Sequence, residues 1–297
     1  MDLGPFVRSI EKQNLNVEGV IVYREGGGGI SHGETSHRWI PERRRTIYSV
    51  SKSFTSMAIG MAIDEGKLKL SDKVAGILQR EEGSTGPESE SRWHNLTLEN
   101  LLTMNMGHEN FSRPVNLKEA LSYELSKTPG TSFFYDNTCT FLASAMLTAA
   151  TGCKLRDYLL ERLFRPLGIS DPQWKESEDG YTSGATGLFL DTSEMALFGR
   201  FLLQRGNWEG KQLVPAAWID GATRTQVSTN PQSKADYNLG YGYCFWTCRH
   251  GAYRCEGADG QFVVVLPAHG AVVTINSEEK NVEPVLWTVW DCILPQL

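Results

Sequence analysis

A serine and a lysine three residues apart open the long apolar stretch "TIYSVSKSFTSMAIGMAIDEGKLKLSD" (46–72). Positions i and i+3 of a helix lie on one face, about 5 to 6 Å apart, so Ser49 would hold its hydroxyl within reach of the Lys52 amine. A serine hydroxyl is a poor nucleophile until a neighbouring group accepts its proton, and lysine can do so when burial lowers its pKa. The spacing therefore predicts a nucleophile beside its base.

The Ser-x-x-Lys spacing is weak when it stands alone. It occurs three times, at 9–12, 49–52 and 277–280. The first lies on a surface-type amphipathic helix and the last in the charged segment "NSEEKN", so both are expected to be solvated faces. Ser49 also has a simpler interpretation as a helix N-cap, because serine before an apolar run satisfies free backbone donors. A second feature is needed to decide whether Ser49 is a nucleophile or an N-cap.

The segment "KTPGTSFFYDNTCTFLASAML" (127–147) supplies that feature, because it places Tyr135-Asp136-Asn137 at the start of a predicted helix. Taken alone, Asp136 or Asn137 is a helix cap and Tyr135 is a half-buried aromatic residue. Taken with Ser49 and Lys52, Tyr135 becomes a proton shuttle to the leaving group, while Asn137 donates to the substrate and steadies the lysine.

The elements that must position these residues are strands at the two ends of the chain and helices between them. Residues 79–92 are polar and lack periodicity, which predicts an exposed loop, and "GGGG" (26–29) predicts a hairpin turn. The periodicity gives helices at 3–13, several within 97–170, at 191–205, 215–222 and 282–293, and strands at 17–24, 36–41 and in four short runs after residue 238.

This order predicts an α+β fold of 297 residues in a single catalytic domain. One antiparallel sheet would be assembled from both ends of the chain and flanked by the terminal helices, with an all-helical lobe inserted between them. The α/β lobe would comprise 1–68 and 175–297, and the mainly helical lobe 69–174. The crevice between the lobes would be the natural site.

At this point the chain resembles the serine β-lactamase and penicillin-binding-protein-like superfamily, and within it the class C and esterase-type branch. "SVSK" (49–52) matches the first motif and "YDN" (135–137) the second, in the right order. Longer stretches such as "LTLENLLTMNMGH", "LFRPLGISD" and "GATGLFLDTSEMALFGRFLLQRGNWEGKQLVPAAWID" are also similar to family signatures. The resemblance implies a β-lactamase/transpeptidase-like fold with Ser49 as nucleophile, and an oxyanion hole formed by the backbone N–H groups of Ser49 and Ala258.

The third motif departs from the family pattern. Members active on β-lactams or D-Ala-D-Ala peptides usually carry Lys or His, then Ser or Thr, then Gly, on the strand that borders the cleft. Here the corresponding residues are Cys255, Glu256 and Gly257, so the cation that holds a substrate carboxylate is missing. Arg254 would share a face with Glu256 because strand residues alternate. Gly257 and Ala258 remain the predicted substrate-binding positions.

Composition excludes several other classes of function. A formal net charge of −6 and a pI near 5.6 argue against a nucleic-acid partner. No metal-ligand spacing is present among the six histidines and six cysteines, so no metal is predicted, and the mechanism needs no cofactor. The first twenty residues show neither a signal peptide nor a membrane anchor, which predicts a cytoplasmic protein.

The leading hypothesis is a serine hydrolase that forms an acyl-enzyme on an ester or amide carbonyl, most simply a carboxylesterase acting on small substrates. An amidase or D-amino-acid peptidase is the second candidate, and a β-lactamase or D,D-carboxypeptidase the third. A short peptide would serve as well as an ester or amide as the small-molecule partner. A non-catalytic binding protein on the same fold is the alternative from another class, and the oligomeric state is not predicted.

Overall fold

A six-stranded antiparallel sheet, built from both ends of the chain, forms the centre of the α/β part of the protein. The structure is a computed structural model and describes residues 1–26, 33–81, 83, 85–230, 232–234 and 236–297. Strand order across the sheet is β2-β1-β10-β9-β8-β7, so the N-terminal hairpin lies beside the last strand of the chain. The predicted α+β fold with one sheet from both termini is confirmed.

The elements of the described residues have the following bounds. The strands are β1 (Val17–Arg24), β2 (Gly33–Arg38), β3 (Arg45–Thr46), β4 (Phe189–Leu190), β5 (Asn207–Trp208), β6 (Lys211–Gln212), β7 (Trp246–Thr247), β8 (Tyr253–Gly257), β9 (Gln261–Leu266) and β10 (Ala271–Ser277). The helices are α1 (Gly4–Lys12), α2 (Ser51–Asp64), α3 (Val74–Ile77), α4 (Pro87–Asn95), α5 (Leu98–Leu102), α6 (Leu117–Leu121), α7 (Asn137–Thr151), α8 (Leu155–Leu159), α9 (Thr192–Leu203), α10 (Ala216–Thr223) and α11 (Val282–Thr288).

Both faces of the central strands are covered. Every residue of β9 and β10 is buried, because α1 and α11 pack on one face and α9 on the other. Close contact with α9 depends on Gly199, where an added Cβ would lie 2.5 Å from Val272 Cγ1. The sequence of a strand that is buried on both faces is a nearly continuous apolar run such as "QFVVVL", without the alternation of apolar and polar residues seen in half-exposed strands.

Helix α2 runs through the middle of the protein, and twelve of its fourteen residues are buried. Phe54 stacks on Phe198 of α9 with ring centroids 3.8 Å apart, which ties the helix to the sheet side. Two of its buried hydroxyls donate to backbone carbonyls: Ser53 to that of Cys244 at 2.9 Å, and Thr55 to that of Gly184 at 2.7 Å. A helix held on all sides is a rigid support for catalytic groups.

Several predicted elements differ from the structure. The segment 79–92, predicted as a loop, contains the start of α4, which begins at Pro87 and buries Trp93 completely. Proline at the first helical position starts a helix as readily as it ends one. In "YGYCFWTC" only Trp246–Thr247 forms a strand. Most of the predicted turn at 26–29 lies outside the described residues.

No helix among the described residues is long and apolar enough to cross a membrane. The division into lobes at 68/69 and 174/175 stays a prediction.

Candidate active site

Ser49 lies in a single 3-10 turn, Tyr48–Val50, directly before α2. The N-cap position of α2 belongs to Val50, and no side chain caps it, so the interpretation of Ser49 as an N-cap is wrong. Tyr48 has φ +47, a left-handed conformation that is uncommon for a large side chain. Strained backbone next to a half-buried serine is typical of functional sites.

Lys52 is 1% exposed and its amine has three oxygen neighbours. Nζ lies 3.1 Å from Ser49 Oγ and donates to Asn137 Oδ1 at 2.6 Å and to the carbonyl oxygen of Ala185 at 2.9 Å. A neutral amine has two N–H donors and one lone pair. With both donors held by Asn137 and Ala185, the lone pair faces the Ser49 hydroxyl, the arrangement required to accept its proton.

Burial lowers the pKa of Lys52 to about 7, and the charge of Arg113 pushes it in the same direction. The buried Asp136 carboxylate acts in the opposite direction, but desolvation is the largest cause. A lysine with a pKa near neutrality carries a substantial neutral fraction, so it can act as a base without a histidine.

Tyr135 and Asn137 lie on either side of the lysine. The Lys52 amine is 5.0 Å from the centre of the Tyr135 ring. Burial raises the pKa of Tyr135, and a hydrogen bond with Ser49 partly offsets this rise, so the tyrosine is a protonated hydroxyl beside the nucleophile. Asn137 is the first residue of α7 and is 7% exposed.

Asp136 does not cap α7 with its side chain, although it occupies the N-cap position. Its Oδ1 instead accepts from the backbone N–H of Ser112 at 2.9 Å, and both carboxylate oxygens accept from the Ser112 hydroxyl. The expectation of an Asp136 cap is wrong for this reason: a distant loop provides the donors. This contact fixes the loop that carries Arg113 beside the Tyr135 segment.

Strand β8, which lies between β9 and β7 in the sheet, brings Gly257 and Ala258 to the opposite side of Ser49. A Cβ on Gly257 would lie 2.3 Å from the carbonyl oxygen of Ile47, so only glycine permits this approach of β8 to the 3-10 turn. Gly257 is buried, whereas Ala258 is exposed at the edge of the cleft. Asp259, which follows, has φ +62 and accepts a hydrogen bond from the Tyr48 hydroxyl. The two backbone segments are thus tied together.

Glu256, the middle residue of the predicted third-motif equivalent, presents a charge-paired carboxylate to the cleft. Glu256 faces the cleft and accepts from Arg254 Nε at 2.5 Å and from the Tyr237 hydroxyl. Arg254 is 0% exposed, lies behind Glu256 and also donates to the carbonyl oxygen of Asp236 at 2.9 Å. Cys255 points to the other face, where burial raises the pKa of its thiol to about 12, so it is a packed residue and not a reactive thiol.

These groups surround a cleft of about 640 Å³. Trp246 forms an aromatic wall and stacks on Tyr135 with centroids 5.5 Å apart. The described lining residues are Thr46, Tyr48, Ser49, Phe111, Arg113, Tyr135, Asn137, Lys175, Thr186, Gly187, Tyr237, Trp246, Glu256, Gly257 and Ala258. All six site residues predicted from the sequence therefore border this cleft or, in the case of Lys52, lie directly beneath Ser49.

Sequence reasoning missed the carbonyl of Ala185 and the cations Arg113 and Lys175. Ala185 lies in "GATGLFLD", a segment recognised only as a family signature, and a backbone carbonyl leaves no trace in residue type. The other two Ser-x-x-Lys pairs do not line the cleft; Lys280, for example, has an 83% exposed side chain and pairs with Asp259.

The family model described as "Beta-lactamase" matches residues 16–286. The chain belongs to the beta-lactamase family. The members of this family are serine hydrolases, which is the class of enzyme that the sequence predicted. The match also covers the third-motif strand, where the chain departs from the pattern expected for β-lactam-active members.

Individual relatives are distant. A "Beta-lactamase" of Escherichia coli (strain K12) is 27% identical over 141 residues, which is 44% of this chain and 35% of that protein. This chain thus matches about a third of the length of this curated relative. Among solved structures, a penicillin-binding protein from Bacillus halodurans has a TM-score of 0.73 at 17% identity and is covered over 99% of its chain and 96% of this one. A D-stereospecific amidohydrolase from Streptomyces sp. has a TM-score of 0.71 at 19% identity. The match covers 98% of that chain and 96% of this one. These likenesses show the fold.

Proposed function

We propose that the protein is a serine hydrolase in which Ser49 forms an acyl-enzyme. One observation carries the proposal. The amine of the buried Lys52 donates to Asn137 and Ala185, and its remaining tetrahedral position faces the Ser49 hydroxyl at 3.1 Å. A lysine with only a capping or packing role has no reason to be desolvated between these acceptors, because burying an amine is costly.

In the proposed reaction, Ser49 Oγ bonds to the carbonyl carbon while its proton moves to the Lys52 amine. The oxyanion is held by the backbone N–H groups of Ser49 and Ala258, which both border the cleft. Tyr135 gives a proton to the leaving oxygen or nitrogen as that bond breaks and is reprotonated from Lys52. Water then attacks the ester of Ser49 and gives its proton to the same pair, which returns it to Ser49 Oγ as the acyl–oxygen bond breaks and the acid is released.

Esters are the proposed first substrate class. The aromatic wall at Trp246 suits an apolar acyl or alcohol part, and ester cleavage requires no carboxylate contact at the third motif. Glu256 disfavours substrates that place a carboxylate against β8, as β-lactams and D,D-peptides do. A β-lactamase or D,D-carboxypeptidase therefore ranks below an esterase.

An amidase or D-amino-acid peptidase remains the second candidate, supported by the structural likeness to a D-stereospecific amidohydrolase. A free ammonium group of such a substrate would meet Glu256, although that carboxylate is already paired with Arg254. We also propose a cytoplasmic location, because the six cysteines, all within the described residues, are unpaired, as is usual in reducing compartments.

Steady-state hydrolysis of p-nitrophenyl butyrate tests the proposal, with a D-amino-acid p-nitroanilide and a chromogenic cephalosporin assayed in parallel. Ser49→Ala should abolish turnover above background, whereas the matched variant Ser9→Ala, from another Ser-x-x-Lys pair, should retain it. Loss in both variants or in neither would contradict the role of Ser49. Turnover of the cephalosporin above that of the ester would overturn the substrate order.

A further inference from the structure

Two cations line the cleft on the side away from β8. Arg113 and Lys175 both border the main cleft, and both also border an adjoining cavity of about 280 Å³. Each is exposed, and within the part of the chain that the structure describes neither has a carboxylate partner. Each charged group lies beside an aromatic ring: the Arg113 guanidinium is 5.6 Å from the centre of the Phe111 ring, and Lys175 Nζ is 5.9 Å from that of Phe189.

Their positions are fixed by the backbone. Ser112, next to Arg113, is held by the buried carboxylate of Asp136. Lys175 donates its backbone N–H to the carbonyl of Gly187 at 2.9 Å, and its side chain packs on that glycine, where a Cβ would lie 2.8 Å away. The two loops are also joined directly, because Glu178 N–H donates to the carbonyl of Val115 at 2.8 Å. Two unpaired cations are thus presented from rigid supports.

The charges of the cleft are therefore unevenly distributed. At β8 the carboxylate of Glu256 is neutralised by Arg254, so that end has little net charge. The opposite end carries two positive charges on a protein whose formal net charge is −6. Of the acidic residues that border the adjoining cavity, Glu176 is paired with Lys154, and Glu178 does not line the main cleft. An anion in the main cleft would meet the cations first.

We propose that the site takes substrates bearing a negatively charged group, a carboxylate, on the part of the molecule that lies against Arg113 and Lys175. This inference rests on the proposed function and specifies its substrate class. The guanidinium of arginine matches a carboxylate in a planar, two-bond geometry, and lysine adds a point charge. The carboxylate is bound at the opposite end of the cleft from the third motif.

The test compares two esters of equal length, p-nitrophenyl hexanoate and the mono-p-nitrophenyl ester of adipic acid. The quantity measured is the ratio of kcat/KM for the acidic ester to that for the neutral ester. A ratio is required because Arg113 also lowers the pKa of Lys52, so removing it alters catalysis on both substrates. Arg113→Gln and Lys175→Gln should each lower the ratio about fivefold, which corresponds to ~1 kcal/mol for a partly exposed pair.

Lys67→Gln is the matched control, since Lys67 is exposed after α2 and does not line the cleft. An unchanged ratio in both cleft variants, or an equal fall in Lys67→Gln, would overturn the proposal. A binding measurement separates this result from failure of the proposed function. In the Ser49→Ala background, calorimetry should show monomethyl adipate binding more tightly than methyl hexanoate, and adding Arg113→Gln should remove the difference. Equal binding of the two ligands would refute the subsite even if no ester is hydrolysed.

Discussion

Replacing Gly257 by alanine tests whether the approach of β8 to the 3-10 turn sets the geometry of catalysis. The backbone of Gly257 has φ −124, which any residue adopts, so alanine introduces no backbone strain there. Its Cβ would lie 2.3 Å from the carbonyl oxygen of Ile47, about 1 Å inside ordinary van der Waals contact. Strand β8 or the turn that carries Ser49 must therefore move by about that distance.

A displacement of about 1 Å between nucleophile and oxyanion donors costs on the order of 100-fold in rate. We expect Gly257→Ala to lower kcat/KM for p-nitrophenyl butyrate by about that factor. Gly199→Ala is the control for general destabilisation, because its Cβ would lie 2.5 Å from Val272 Cγ1, away from the cleft. Gly221→Ala is the control for the substitution itself, since no described atom outside its own stretch of helix backbone lies within 4 Å of its Cβ.

The assay combines kcat/KM at a temperature where every variant is folded with thermal unfolding of each. Gly199→Ala should lower the Tm and retain its activity. Gly221→Ala should retain its activity and raise the Tm slightly, because alanine is more stable than glycine inside a helix such as α10. Gly257→Ala should lose activity beyond any loss of folded protein. The reasoning would be refuted if Gly257→Ala kept kcat/KM within about threefold of the parent, because a 1 Å displacement could not then matter.

Two further predictions follow from the buried charges. Because burial lowers the pKa of Lys52 to about 7 and only the neutral amine accepts a proton, kcat/KM should fall about tenfold per pH unit below that value; a flat profile from pH 5 to 8 would contradict this. Glu256→Ala should destabilise the fold by about 3 kcal/mol in chemical denaturation, because Arg254 is 0% exposed and loses its partner. Glu161→Ala, which breaks a pair with 61% and 58% exposed side chains, should cost about 0.5 kcal/mol or less, and equal losses in the two variants would count against the buried pair.

Local patterns were sufficient to predict the parts of the site that lie within one element or at its start. Ser49 and Lys52 meet because helical spacing brings i and i+3 together, and Asn137 reaches the lysine because it begins a helix. The sheet was predictable for a similar reason, since runs such as "QFVVVL" are typical of fully buried strands.

The remaining parts depend on contacts between distant segments. Arg113 reaches the cleft because Asp136 accepts a hydrogen bond from the neighbouring Ser112. These two residues are 24 positions apart, and the periodicity of a sequence does not predict a hydrogen bond over that separation. Helix α4 was missed because Pro87 was interpreted as a loop residue, whereas burial of Trp93 stabilises a short helix that its polar sequence does not predict.

The most direct test of the central claim is the intact mass of the protein quenched early in its reaction with p-nitrophenyl butyrate, followed by peptide mapping. An acyl-enzyme at Ser49 predicts one added butyryl group, located on the peptide that contains 46–52 and absent from Ser49→Ala. The adduct should form more slowly below pH 7, because acylation needs the neutral amine of Lys52. A butyryl group on any other residue, or turnover in Ser49→Ala equal to that of the parent, would contradict the claim that Ser49 is the nucleophile.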